Sequence, residues 1–320
     1  MPTSALLSLA DVRDAAARIS GICLCTPVVP VVMPDGTVPL RVKAECLQPT
    51  GAFKLRGATN AIALLEPERR VRGVVTHSSG NHAQAVAYAA ARAGIAATIV
   101  IPDNAPAVKV EATARWGAQI VRVPPAERET AAEAIAEETG ATVVPPYDHP
   151  DVIAGQGTVG IEIAEQVPDL DQVLVPVSGG GLAAGTALAI KALRPQVRVV
   201  AVEPELAGDL AEGWRDGQRR VWAASQTART IADGLRTTSV GLLNWAHLRA
   251  HVDDVVTVTE EEILSATATL VRGSRLVAEP SGAVASAALL SGRVDPSPGT
   301  VAVLSGGNVD PALLARLVAP

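Results

Sequence analysis

Four loops in this 320-residue sequence set reactive side chains among small residues. The first, Gln48-Pro49-Thr50-Gly51-Ala52-Phe53-Lys54-Leu55-Arg56-Gly57-Ala58, carries Lys54 beside Phe53 where a predicted helix begins. An amine held at a helix N-terminus in apolar surroundings has its protonated form disfavoured, which makes it a nucleophile towards an aldehyde. The plain alternative is a surface lysine, the commoner fate of the residue type. The second loop, Thr76-His77-Ser78-Ser79-Gly80-Asn81-His82-Ala83-Gln84, follows a predicted strand and opens a predicted helix. Its backbone N–H groups, with the side chains of Ser78, Ser79 and Asn81, form an anion site suited to a substrate carboxylate, unless those side chains only cap the helix. His77 and His82 have no third ligand at metal spacing and read as packing residues. The third loop is Ser178-Gly179-Gly180-Gly181-Leu182, again between strand and helix; consecutive glycines let backbone amides close around a phosphate at the positive end of a helix. Ala183 and Ala184 follow, so the pattern is neither Gly-x-Gly-x-x-Gly nor a Walker loop. The fourth, Leu304-Ser305-Gly306-Gly307-Asn308, ends the last predicted strand with the Ser305 hydroxyl.

Elements that would position these loops alternate along the chain. Val/Ile-rich runs at Gly73–Thr76, Ala97–Ile101, Gln119–Val123, Thr142–Val144, Gln172–Val177, Arg198–Val202, Asp254–Thr259 and Thr300–Leu304 predict strands. Ala-rich segments of helical period lie between them, including Asn81–Ala93, Ala107–Arg115, Arg128–Thr139, Leu182–Leu193 and Glu260–Arg272. The alternation predicts an α/β fold with open, mostly parallel sheets flanked by helices. In such sheets ligands sit beyond the carboxyl ends of strands, where the second, third and fourth loops fall. Pro124-Pro125, Pro145-Pro146 and Pro296–Pro298 read as turns.

Composition narrows the partners. A formal charge of −6 with no basic stripe argues against nucleic acid. No apolar run approaches the roughly 20 residues that span a bilayer, and no signal peptide is evident, so a soluble cytoplasmic protein with no membrane partner is expected. Cys23, Cys25 and Cys46 fit neither a disulfide framework nor zinc spacing and read as reduced, structural residues. The last predicted strand and helix end near Val318, which leaves no expected room for an appended regulatory domain.

Taken in order, Thr26-Pro27, Lys43–Ala58, Thr76–Gln84, Val152–Thr158, Ser178–Leu182, Thr230–Gly234, Glu279–Ala283 and Leu304–Asn308 resemble the serine/threonine dehydratase and serine racemase group of pyridoxal-phosphate (PLP) enzymes. This is the tryptophan-synthase-β-like fold type II, and the resemblance runs along nearly the whole chain. It implies a large PLP-binding domain over 1–72 and 148–320 and a smaller mobile domain over 73–147. It implies Lys54 as the Schiff-base lysine, Phe53 beside the ring, Asn81 on the pyridine 3-oxygen, and Gly179, Gly180, Gly181 and Leu182 around the phosphate. Ser305 would face the pyridine nitrogen. A neutral hydroxyl there would not keep that nitrogen protonated, which favours prompt β-elimination over a long-lived carbanion. Glu203-Pro204-Glu205-Leu206-Ala207-Gly208-Asp209 resembles the group's divalent-cation loop, with Glu203, the Ala207 carbonyl and Asp209 as hard oxygen ligands for Mg²⁺ or Ca²⁺; without the resemblance it reads as a solvated acidic turn.

The expected reaction is dehydration and deamination of L-threonine or L-serine to a 2-oxo acid and ammonia. Lys54 would remove the Cα proton while Ser78, Ser79, Gly80, Asn81 and His82 grip the carboxylate. Ser79 matches the second acid/base of the racemases, so serine racemisation is an alternative. Arg128 matches a position near the substrate pocket where a cation could pair with a second carboxylate, which would suit a threo-3-hydroxyaspartate ammonia-lyase; as a plain first-turn helix residue it would have no such role. Tyr147 resembles the aromatic of dehydratases more than the smaller polar residue of animal racemases. A nicotinamide-dependent oxidoreductase would need a Gly-x-Gly-x-x-Gly turn that is missing, although Glu203 could serve as its acidic residue. A non-catalytic PLP or amino-acid-binding module could dispense with Lys54, which is retained. The expected assembly is a homodimer.

Overall fold

A computed structural model describes residues 6–32, 40–78, 80–105 and 107–318. The Val/Ile-rich runs become strands because β-branched side chains fit a pleated surface covered on both faces. In chain order these are β1 (Val28–Val31), β2 (Leu40–Ala44), β3 (Val74–His77), β4 (Ala97–Pro102), β5 (Gln119–Val123), β6 (Thr142–Val143), β7 (Gln172–Pro176), β8 (Arg198–Pro204), β9 (Asp254–Val258) and β10 (Thr300–Leu304). They form two sheets, one ordered β1-β2-β10-β7-β8-β9 and the other β5-β4-β3-β6. Every pairing is parallel except β1 with β2.

The larger sheet shows why its strands read as unbroken apolar runs. Val173, Val175, Val199, Ala201, Val301 and Val303 face one core with the helix Gly181–Leu193. Their neighbours Leu174, Val200, Val202, Ala302 and Leu304 face a second core with the helix Pro280–Leu290. Both faces of β7, β8 and β10 are buried, with successive side chains pointing to opposite cores. β1 and β2 lie outside the sequence expectation. Pro30 lacks an N–H for a ladder and confines β1 to the sheet edge. Arg41 and Lys43 give β2 a polar face that masks its apolar alternation.

The helix Lys54–Ala63 is held from two sides. Leu55, Ala58, Ala61 and Ile62 join the core of the smaller sheet with Val74, Ala83, Val86 and Ile99. On the other side it rests on the helix Pro150–Gln166, where a Cβ on Gly155 would fall 2.7 Å from the Arg56 carbonyl. Arg56 is fully buried and bonds two carboxylates: Nε and Nη2 donate to Glu45 at 2.8 Å each, and Nη1 and Nη2 to Glu162 at 2.6 and 2.8 Å. Lys43 Nζ, also buried, donates to Glu162 at 2.6 Å. Two cations and two carboxylates thus compensate one another at the base of the helix that begins with Lys54. The two sheets are further linked where Lys109, on the helix Ala107–Ala114, pairs with Asp233 on the turn Asp233–Leu235. Among the described residues no helix is long and apolar enough to cross a membrane.

Candidate active site

Two main-chain bonds, which together form a bridge, bring Lys54 beside a loop that lies far from it in sequence. The Phe53 N–H donates to the Ser305 carbonyl at 3.0 Å, Ala52 bridges Gly306, and the Gly307 N–H donates to the Gly51 carbonyl at 2.9 Å. Lys54 therefore starts its helix next to the carboxyl end of β10. Its Nζ donates to the Pro146 carbonyl at 2.6 Å and sits 5.2 Å from the Phe53 ring centre. Burial without a nearby carboxylate pulls its pKa down to about 8. The sequence has four lysines, and the other three are neutralised in ion pairs: Lys43 with Glu162, Lys109 with Asp233 and Lys191 with Asp253. Lys54 alone of the four has no carboxylate partner among the described residues.

β7 ends at Pro176 and delivers the glycine loop. Gly180 adopts φ +94°, a conformation that favours glycine, and starts the helix Gly181–Leu193. The first bond of that helix runs from the Ala184 N–H to the Gly180 carbonyl at 2.8 Å, so the preceding N–H groups have no helical partner. The Gly179 carbonyl is held away by Asn244 Nδ2 at 2.6 Å and the Gly241 N–H at 3.0 Å. Tyr147 packs over the loop, where a Cβ on Gly179 would fall 2.2 Å from its ring. Its neighbour Asp148 caps the helix Leu242–His251, accepting the N–H groups of Leu242, Leu243 and Asn244 at 2.9, 3.1 and 3.2 Å. The result is a small cup of free amides at a helix N-terminus, suited to a phosphate.

The loop after β3 closes the opposite side. The Gly80 N–H donates to Ser78 Oγ at 3.2 Å, and the first helical bond, Gln84 N–H to the Gly80 carbonyl at 3.3 Å, leaves the N–H groups of Asn81, His82 and Ala83 without helical partners. Ser79 lies outside the described residues. The His82 ring is buried, with Nε2 2.9 Å from the Val144 carbonyl. Burial, with the Lys54 charge nearby, pulls its pKa down to about 3, so the ring is neutral. A carbonyl only accepts, which puts the proton on Nε2 and leaves Nδ1 an acceptor unable to bind a carboxylate. The grip that His82 offers an anion is therefore its main-chain N–H.

Asn81 joins this loop to the end of β10. Its Nδ2 donates to Glu279 Oε1 at 2.6 Å, and its Oδ1 accepts from Asn308 Nδ2 at 2.8 Å. Ser305 is buried beside them. Burial, with Asp233 nearby, pushes the Glu279 pKa up to about 7. In the sequence Glu279 and Asn308 stand out only as parts of the stretches Glu279–Ala283 and Leu304–Asn308. Arg128, the exposed first residue of the helix Arg128–Thr139, has no hydrogen-bond or ion-pair partner among the described residues. Its charge acts on His77, at the end of β3, after the larger effects of burial and of Glu129.

Glu203, near the end of β8, and Asp209, just beyond that strand, are both buried. Glu203 accepts the N–H groups of Leu210 and Ala211 at 3.2 and 2.8 Å, and Asp209 accepts that of Val240 at 2.9 Å. Burial and the neighbouring Asp209 charge hold Glu203 well above the usual carboxylate range, and burial pushes Asp209 up to about 7. Two neighbouring desolvated carboxylates are a donor set that a hard cation would suit, and the turn Glu205–Ala207 runs between them in sequence. Among the described residues no group of three or more His, Cys, Asp or Glu side chains forms a ligand cluster, so a cation here would also draw on main-chain oxygen and water.

An amine poised near neutrality, a glycine cup at a helix N-terminus and a hydroxyl at the next strand end define a site for an aldehyde cofactor bearing a phosphate. The chain belongs to the pyridoxal-phosphate dependent enzyme family, whose model matches residues 20–306. It is 43% identical over 314 residues to a serine racemase of Oryza sativa subsp. indica, covering 95% of this chain and 91% of that one. It is 41% identical over 313 residues to an L-threo-3-hydroxyaspartate ammonia-lyase of Saccharomyces cerevisiae, covering 96% and 95%. The crystal structure of a T.th. threonine deaminase superposes with a TM-score of 0.89 at 41% identity, covering 95% and 99%. The expected α/β fold of mostly parallel sheets and the expected family are both borne out.

Proposed function

We propose that this enzyme dehydrates and deaminates L-threonine or L-serine to a 2-oxo acid and ammonia, with pyridoxal phosphate carried on Lys54. The observation that carries the reading is that Lys54 alone of the four lysines lacks a carboxylate partner and has its pKa pulled down to about 8. When bound, the cofactor supplies an electron sink that acidifies the Cα–H bond of an attached amino acid. Gly179, Gly180, Gly181 and Leu182 hold its phosphate through free amides at a helix N-terminus. Phe53 would lie against the ring, Asn81 would meet the ring oxygen, and Ser305 would offer the ring nitrogen a hydroxyl. Lys54, once released, is neutral often enough near pH 8 to take the Cα proton. Ser78, Gly80 and the N–H groups at the start of the helix Asn81–Ala93 orient the substrate carboxylate.

Arg128 supports a second reading. A cation with no partner among the described residues, set near His77, suits a substrate with a second carboxylate, such as threo-3-hydroxyaspartate. A Mg²⁺ or Ca²⁺ ion held by Glu203, the Ala207 carbonyl and Asp209 would neutralise the buried acid pair. The working form in this reading is a cytoplasmic homodimer.

Incubation with L-serine, D-serine, L-threonine and threo-3-hydroxyaspartate, with keto acid, ammonia and enantiomer ratio measured together, tests the proposal. Pyruvate from L-serine and 2-oxobutanoate from L-threonine are expected. Racemised serine in excess of pyruvate would overturn the dehydratase reading, and oxaloacetate formed fastest would establish the second.

A further inference from the structure

We propose that Glu279 and Asn308 are positioning residues that lock the Asn81 side-chain amide in one orientation, with one N–H left to donate to the cofactor. The proposal rests on the cofactor site assigned above. It starts from an ambiguity of the amide group, which can turn its oxygen and nitrogen end for end at little intrinsic cost. A flipped Asn81 would aim a carbonyl oxygen at the ring oxygen of the cofactor, setting two acceptors against each other.

The structure removes that freedom by a chain of bonds with a fixed direction. Its first member is the Thr50 carbonyl, which can only accept and so draws Asn308 Nδ2 at 2.8 Å. The same Nδ2 donates to Asn81 Oδ1 at 2.8 Å. Asn81 Nδ2 is thereby turned to Glu279 Oε1, 2.6 Å away. With Asn81 Oδ1 already taken by Asn308, Glu279 Oε1 accepts from Nδ2, since a carboxyl group keeps an acceptor oxygen in either protonation state. Asn81 Nδ2 carries two hydrogens and spends one on Glu279. The direction is set from the Thr50 carbonyl through Asn308, and reversing Asn81 would set its Nδ2 against the Nδ2 of Asn308 and break the bond there.

Gly306 is part of the device. A Cβ there would fall 2.1 Å from Glu279 Oε1 and 3.2 Å from Asn81 Nδ2, so glycine is what lets the carboxylate reach the amide. Glu279 is itself fixed at the start of the helix Pro280–Leu290, where its N–H donates to the Gly306 carbonyl at 3.2 Å.

The test uses Glu279→Ala, Glu279→Gln and Asn308→Ala in the full chain. Cofactor affinity is measured by fluorescence titration of apoenzyme, and the visible absorbance of the bound cofactor is recorded beside kcat and KM. Loss of this buried bond, with Asn81 left free to turn, predicts cofactor binding roughly 10- to 100-fold weaker in Glu279→Ala. Glu279→Gln, which keeps the volume and an acceptor oxygen, should recover part of it. Asn308→Ala should change affinity and absorbance in the same direction while folding normally, and it decides the matter if Glu279 variants are unstable. Affinity and absorbance within about twofold of wild type in all three would overturn the proposal. Reduction of these variants with borohydride separates the two readings: cofactor still fixed on Lys54 with unchanged affinity sinks the Glu279 role alone, whereas wild type that binds no cofactor sinks the site.

Discussion

The lowered pKa of Lys54 makes a quantitative prediction about cofactor uptake. Only the neutral amine attacks an aldehyde. A drop from the ordinary lysine value of 10.5 to about 8 raises the neutral fraction at pH 7 from roughly 0.03% to roughly a tenth, about 300-fold. The cause is burial, which penalises the ammonium, so the proton leaves as pH rises through about 8. The second-order rate at which apoenzyme takes up pyridoxal phosphate should therefore climb about tenfold per pH unit below 8 and level off above it. Stopped-flow absorbance between pH 6 and 10.5 would measure it, against a simple amine such as N-acetyl-lysine to cancel titration of the cofactor. The same shift acts on stability: the unfolded chain keeps this proton to 10.5 and the folded chain loses it near 8, so the Lys54 contribution becomes more favourable as pH rises between them. An uptake ratio to the free amine that stays flat across the range would refute the reasoning.

Three further outcomes are expected. Gly179→Ala puts a methyl group 2.2 Å from the Tyr147 ring, so the tyrosine or the loop must shift; fluorescence titration should show cofactor affinity at least about tenfold weaker. Glu45→Gln leaves Arg56 and Lys43 buried with Glu162 alone, an uncompensated charge that should cost about 3–5 kcal/mol and lower Tm on the order of 10 °C by calorimetry. Chelation should lower Tm, because the buried Glu203 and Asp209 would lose their counter-charge, and added Mg²⁺ or Ca²⁺ should restore it; an unchanged melting curve would count against the cation.

Much of the fold was legible because β7, β8 and β10 are buried on both faces and so show as apolar runs of strand length. The loops after β3, β7 and β10 followed from that, since strand ends in an open α/β sheet are where a site forms. β1 and β2 were hidden for opposite reasons: Pro30 spoils the strand signature of one, while Lys43 in the other reads as solvated and is in fact buried against Glu162. Arg56 is similar, for nothing local in the sequence tells a buried, doubly paired arginine from a surface one. Lys54 and the glycines could be found from their own segments. Glu279 and Asn308 could not, because their meaning lies in contacts with Asn81 across more than half of the chain. His82 shows a finer limit, as its ring takes a direction set by the Val144 carbonyl just after β6.

Reduction of the holoenzyme with borohydride, followed by peptide mass mapping, tests the central claim most directly. The sequence offers four lysines, Lys43, Lys54, Lys109 and Lys191, so the readout has few possible answers. The phosphopyridoxyl mass is expected on the peptide containing Lys54 and on no other, with the yellow colour lost in Lys54→Ala. Label on Lys43, Lys109 or Lys191, or a Lys54→Ala protein that stays yellow and active, would contradict the account.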